Sequence, residues 1–262
     1  MLSKNRLKYV LSLKRKKDRV REGRFLVEGL RACEEVLASP YRFEQLLYCP
    51  HDLTGDRAER FLAECRRRRV PVEEIAAGTL RKISDTVHSQ GIIGVVAKRP
   101  ETLPGLQVRQ PRLVLALDRV SDPGNAGTIV RTAHWFGVGA LIFSEDSVES
   151  TNPKVVRASM GALFHVPILE DQPLTETLTH LRGQGYAVFV AHAGGEVSYR
   201  EASFSDRDIL VVGNEIDGVR EPVRRLATAT LHIPGVGRGD SLNVAVATGI
   251  LLAEMTKTQP AV

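Results

Sequence analysis

Apolar residues recur along this chain in two rhythms, and the change falls near residue 100. Before it, short apolar runs alternate with amphipathic stretches. Phe25-Leu26-Val27, Phe43 to Cys49 and Gly91 to Ala97 predict strands, and Arg31 to Ala38 and Ala58 to Arg68 predict helices. Beyond residue 112 the apolar runs lengthen and lose their alternation, as strands buried on both faces of a parallel sheet do. Strands are predicted at Leu113 to Leu117, Ala140 to Phe143, Ala187 to Ala191, Ile209 to Val212 and Thr230 to Ile233. Helices are predicted between and after them, near 126 to 137, 152 to 160, 173 to 183, 219 to 227 and 242 to 256. The expected class is α/β, with a mainly parallel sheet over residues 112–262 and a smaller α/β domain over residues 1–98. Residues 99–111, holding Pro100, Pro104 and Pro111 without an apolar period, read as a linker.

Composition narrows the class. At 262 residues and 43% hydrophobic content the chain can bury one large core or two modest ones. No run approaches the roughly 20 apolar residues that cross a bilayer, and the basic N-terminus leads into no apolar segment with a cleavage site, so a cytoplasmic location is expected. Cys33, Cys49 and Cys65 are odd in number, sixteen residues apart, and form no C-x-x-C pair with neighbouring histidines. They predict reduced, buried thiols, with neither a disulfide framework nor a metal site. Charge matters once it is located: the net +5 is made of +8 in residues 1–24 and −3 in the rest. A polyphosphate partner rewards such a block through counterion release, although a merely solubilising tail would carry the same charge. Lys14, Arg15, Lys16, Lys17, Arg19 and Arg24 are the candidate contacts to the phosphates of such a partner.

Three polar segments follow apolar strands of the second domain, where open parallel sheets bind ligands. The first, Asp118 to Arg131, reads DRVSDPGNAGTIVR. Asn125 is expected to cap a helix, with Arg131 nearly two turns on and on a similar face, able to fork onto a phosphate or ribose. The second, LVVGNEIDG, delivers Gly213 and Glu215 to a strand end, although glycines there commonly just make turns. The third, IPGVGRGDSLN, is a glycine-rich loop entering an apolar helix whose start carries Ser241 and Asn243. It lies after the last strand and lacks a downstream ribose-binding acid, which argues against a dinucleotide site.

Taken in order, these segments resemble the SpoU/TrmH branch of the SPOUT RNA methyltransferases. DPGNAGTIVRTA, LVVGNEIDGV and IPGVGRGDSLNVAVATGILLAE match its three motifs, and NPKVVRASMGALFHVPI is another stretch typical of the family. LKYVLSLKRKKDRVREGRFLVEGLR and HSQGIIGVVAK resemble the substrate-binding domain of larger members. The resemblance implies a trefoil-knotted α/β domain, a homodimer, and S-adenosylmethionine held largely by backbone groups. Carried over by position, Ala191, His192, Gly213, Ile233 and Leu242 should border the cofactor, while Asn125, Arg131, Glu215, Ser241 and Asn243 should form the polar, catalytic side. Two departures, Gly235 where the family usually has Met and Ala245 in the helix start, remove side-chain atoms near that loop.

The implied reaction is methyl transfer to a ribose 2′-hydroxyl of ribosomal RNA. Displacement at a methyl carbon needs an in-line geometry in a dry pocket, and the hydroxyl needs help losing its proton. The family assigns that help to Arg131. A guanidinium, which gives up its proton only far above neutrality, fits better as a cation that anchors the adjoining phosphate and stabilises the developing alkoxide. His134, one turn on, competes as a base, although a helical histidine is more often on the surface or in packing. A tRNA ribose methyltransferase of the same fold, or a non-catalytic RNA-binding or ribosome assembly factor, remain the alternatives.

Overall fold

A four-stranded sheet and a seven-stranded sheet each carry a hydrophobic core. The computed structural model describes residues 2–86, 89–237, 239 and 241–257, so His88, Arg238 and Asp240 of the segments quoted above lie outside the described residues.

The first unit comprises the residues up to Arg99 together with Thr151–His165. It runs α1 (Lys4–Ser12), α2 (Lys16–Glu22), β1 (Arg24–Glu28), α3 (Leu30–Leu37), β2 (Phe43–Tyr48), α4 (Asp56–Arg67), β3 (Val72–Glu74), α5 (Ala77–Ile83) and β4 (Ile92–Ala97). Its sheet has the order β1-β4-β2-β3, antiparallel except for the β2–β3 pair. The basic N-terminal stretch, read above for its charge, is therefore a pair of helices. Val10 and Leu13 are fully buried among Leu47, Ile83 and Ile93, with Leu7, Tyr9 and Leu11 packed against them, so an apolar face docks a helix that also carries Lys4, Arg6 and Lys8.

Thr151–His165 supplies the other side of this unit. Asn152 caps α8 (Pro153–Ala158) by accepting the Lys154 N–H at 2.9 Å, and α8 packs on β1. Phe164 then stacks on Phe25 at 6.4 Å and meets Tyr41 edge-on at 5.3 Å. These residues, read as part of the helix–strand series of the second half, belong to the first unit's core.

The second unit holds α6 (Leu103–Arg109), β5 (Leu113–Asp118), α7 (Pro123–Trp135), β6 (Ala140–Ser144), β7 (Ile168–Gln172), α9 (Leu174–Gly183), β8 (Ala187–Ala191), β9 (Val197–Ser198), β10 (Asp208–Gly213), α10 (Glu221–Arg224), β11 (Ala229–His232) and α11 (Val244–Thr256). The sheet order is β7-β6-β5-β10-β8-β11-β9, and its ladders all run parallel. Residues of α6, α9 and α10 join one core cluster, whereas α11 packs on α7 and β10. The proline-rich stretch read as a linker contains α6. Pro104 sits in its first turn, where a missing N–H costs nothing, Thr102 caps it, and Leu106 is fully buried. β7 and β9 escaped the pattern because they are short edge strands. Only Ile168 and Leu169 of β7 are buried. Among the described residues no helix is long and apolar enough to cross a membrane.

All three cysteines are free and buried. Burial pushes the Cys65 thiol up to about 11 and raises Cys33 as well, so neither forms the reactive thiolate near neutrality. A disulfide reagent at pH 8 should therefore leave the native protein's thiols unmodified over minutes and titrate all three after denaturation. Rapid modification of the native protein would contradict this packing.

Candidate active site

In a parallel sheet all carboxyl ends fall on one edge, and here β5, β10, β8 and β11 are consecutive neighbours. Gly213 is opposite Asp118, Val211 opposite Val190, and Leu231 opposite Ala191. The register therefore brings Asp118, Gly213, Ala191 and the residues after His232 to a common edge, although more than a hundred residues separate the first from the last in sequence.

A chain of amides ties together the three segments that leave this edge. Helix α7 begins at Pro123 and is capped by Asp122, whose carboxylate accepts the Asn125 N–H at 2.8 Å. This corrects the expectation that Asn125 is the cap. Proline favours the first helical position, so the cap is the residue before it. Asn125, one turn inside, keeps its amide side chain for other work: its Nδ2 donates to Glu215 Oε1, and its Oδ1 accepts from Asn243 Nδ2 at 3.0 Å. Asn243 is in turn the N-cap of α11, where its Oδ1 accepts the N–H groups of Ala245 at 2.9 Å and Val246 at 3.3 Å. Because the helix start demands an acceptor, the amide of Asn243 can face Asn125 only with its donor. Asn125 must then turn its own donor on the carboxylate. The relay Asn243–Asn125–Glu215 thus has a fixed direction, and each bond polarises the next.

The loop after β10 is held as firmly. Asn214 Oδ1 accepts the Ile216 N–H at 2.8 Å, its backbone carbonyl accepts the Gly218 N–H at 2.9 Å, and its Nδ2 donates to the Arg119 carbonyl at 3.2 Å. A Cβ on Gly213 would sit 2.3 Å from the Gly218 carbonyl carbon, so only glycine lets this turn fold back on its own strand. The fully buried Asp118 accepts Arg220 N at 2.7 Å and Arg220 Nε at 2.8 Å, closing the loop at its far end. Sequence reading missed Asp118 and Arg220. The signal available was an acid ending an apolar strand, and a buried carboxylate demands a partner.

Of the other expected site residues, Ser241 is exposed and Leu242 half-exposed, both in the segment that Asn243 anchors. The N–H of His192 extends the β8–β11 ladder by donating to the Leu231 carbonyl at 2.9 Å, and its Nδ1 accepts the Gly194 N–H at 3.1 Å. Arg131 lies on α7, exposed, with no hydrogen bond or ion pair to a described residue. Six residues at about 100° each place it about 120° round the helix from Asn125, so the two do not share a face as expected. His134 is exposed. Ile233 to Gly237 run outside any helix or strand, and no described atom lies within 4 Å of the Cβ positions of Gly235 or Gly237. The open space at Gly235 and Gly237 leaves room for a cofactor beside this loop. Among the described residues no cluster of His, Cys, Asp or Glu is placed to hold a metal ion.

The basic helices of the first unit divide unevenly. Arg19, counted above among RNA contacts, is 2% exposed and donates to the Leu13 and Lys14 carbonyls at 2.9 and 2.6 Å, capping the end of α1. Arg24 is held by Glu44 at 2.6 Å, and Lys14 by Asp85 at 2.9 Å. Arg15 pairs with Asp18 yet stays exposed, as do Lys16 and Lys17.

Residues 112–253 match the SpoU rRNA Methylase family, and residues 4–94 match the MRM3-like substrate binding domain. The chain is 30% identical over 243 residues, spanning 90% of each protein, to the 23S rRNA (guanosine(2553)-2'-O)-methyltransferase RlmP of Bacillus subtilis (strain 168). Its structure is similar to that of an AdoMet-bound rRNA methyltransferase from Sinorhizobium meliloti, with a TM-score of 0.88 and 30% identity over 100% of this chain and 98% of that one. It is also similar to the SpoU methyltransferase AviRb from Streptomyces viridochromogenes in complex with AdoMet, with a TM-score of 0.87 and 26% identity over 98% of each.

Replacing Asp118 with Asn strips Arg220 of a charged acceptor and should lower unfolding free energy in urea by about 2 kcal/mol. The same change at the exposed Asp146, 3.4 Å from Arg220, should cost under about 0.5 kcal/mol. Equal effects at the two positions would show that the buried carboxylate does not fasten the loop.

Proposed function

Because the chain belongs to the SpoU rRNA methylase family, we propose that it methylates a ribose 2′-hydroxyl of ribosomal RNA, with S-adenosylmethionine as donor. The observation that carries this reading is the hydrogen-bonded relay from Asn243 through Asn125 to Glu215, which joins all three motif segments at one sheet edge. When bound, S-adenosylmethionine supplies a methyl group made electrophilic by its sulfonium.

The chain's own residues orient and shield. Backbone groups around Ala191, His192, Gly213 and Ile233, with the side chain of Leu242, border the cofactor. The carboxylate of Glu215, aimed by Asn125, accepts hydrogen bonds on the polar side. Ser241 and Asn243 complete that side. Arg131 has no described partner inside its own chain, which leaves its fork of donors for the RNA. Its guanidinium holds the phosphate next to the target ribose and stabilises the charge that builds on the ribose oxygen as the hydroxyl proton passes to water. The basic helices Lys4–Ser12 and Lys16–Glu22 supply RNA affinity.

The same reading carries a knotted C-terminal domain, a homodimer and a cytoplasmic location. Exposed apolar side chains support the dimer: Trp135 on α7 is 84% exposed, and Val246 on α11 is 53% exposed. Covering such side chains is a usual reason for subunits to associate.

The test is transfer of labelled methyl groups from S-adenosylmethionine to 23S rRNA and tRNA from cells lacking the protein, followed by mapping of ribose methylation. One 2′-O-methyl position in 23S rRNA is expected. Labelling confined to tRNA redirects the substrate, and absence of cofactor binding at millimolar concentration favours a non-catalytic RNA-binding protein. In the same assay Arg131→Lys should lower kcat more than about tenfold. Near-normal turnover would show that forked recognition is not needed.

A further inference from the structure

The helix pair α1–α2 encloses an open groove of about 630 Å³, which the site above does not use. Lys8 and Tyr9 line one wall, and Arg15, Lys17, Asp18 and Arg21 line the other. Asp18 is 1% exposed and takes one guanidinium on each oxygen, Arg15 Nε at 2.6 Å and Arg21 Nη2 at 3.0 Å. Two cations that would repel each other in water are thereby fixed side by side. Both remain mostly exposed, at 62% and 66%; Arg21 also donates its Nε to Glu22 at 2.8 Å, and each guanidinium keeps N–H donors to spare. Lys8 and Lys17 have no ion pair with a described residue and are exposed.

The walls are stiff. Arg19 ties α2 to the last carbonyls of α1. The Arg6 guanidinium lies over the Tyr9 ring at 4.5 Å and is itself held by Gln45 and Glu44. Four cations set against the buried Asp18 and the neighbouring Glu22, beside an aromatic wall, leave an excess of positive charge spread more widely than a single small anion needs. They match a run of phosphates on sugars, with Arg forks suited to phosphate oxygens.

We propose that this groove grips the phosphodiester backbone of the RNA substrate, with Lys8, Arg15, Lys17 and Arg21 reaching phosphates. The choice of RNA as the polyanion rests on the function proposed above. The positive charge of residues 1–24 is thus divided: Arg19 and Arg24 build the helix pair, and Lys8 and Arg21, absent from the contacts expected from sequence, join the RNA surface.

Lys8→Gln with Lys17→Gln removes two groove cations that have no ion pair with a described residue, and Arg60→Gln with Lys82→Gln removes two exposed cations of the same unit outside the groove and outside α1 and α2. Full-length proteins would be titrated with in-vitro-transcribed 23S rRNA by filter binding over a range of salt. The groove pair should weaken binding about tenfold and flatten the slope of log K against log salt by about 1.5, with the control pair changing affinity less than about twofold. S-adenosylmethionine affinity should be the same in all three proteins. Equal losses in the two double variants, or none in the groove variant, would overturn the groove and leave rRNA methylation standing. Salt-dependent RNA binding lost only in the groove variant, by a wild type that transfers no methyl group, would support the groove while overturning the methylation.

Discussion

The side-chain amide of Asn243 has two ends, and the site depends on both being used. A helix start exposes N–H groups that need an acceptor, and Asn243 satisfies α11 with its oxygen. Its nitrogen is then obliged to point away, at Asn125. A local rule of helix capping thereby sets the orientation of a second amide and, through it, of the Glu215 carboxylate. The polar side of the pocket inherits its geometry from a backbone requirement.

Such a relay works only if its members are delivered to one place, and the parallel sheet does that. β5, β10, β8 and β11 end on a common edge. Their loops would still wander without ties at the base. Asp118 and Arg220 provide one tie, and Asn214 with the Arg119 carbonyl another. The loop that carries Glu215 is pinned at both ends while Glu215 itself stays exposed. Rigid support under an accessible side chain is what positioning chemistry asks for.

Much of this was legible in the sequence, for identifiable reasons. Long unalternating apolar runs marked the parallel strands, and polar glycine-bearing segments after them marked the ligand edge. Capping was read one turn late at α7 because Asp122 and Asn125 are both good caps. Pro123 between them decides it, since proline belongs at the first helical position. The Asp118–Arg220 pair was out of reach, because partners 102 residues apart meet only once the strand register is known. The basic N-terminal helices were hidden by their charge: Arg19 looks like its neighbours in sequence, yet its guanidinium is spent on the carbonyls of the preceding helix. Thr151–His165 sits among second-unit strands in sequence, but Phe164 finds its aromatic partners Phe25 and Tyr41 in the first unit.

The most direct measurement is a double-mutant cycle between Asn243→Ala and Glu215→Ala, read as S-adenosylmethionine affinity by calorimetry. If the amide relay transmits orientation, the two sites should couple by about 1 kcal/mol, and the coupling should vanish when Asn125 is also alanine. Additivity of the two changes to within about 0.3 kcal/mol with Asn125 intact would contradict the relay as the organiser of the site.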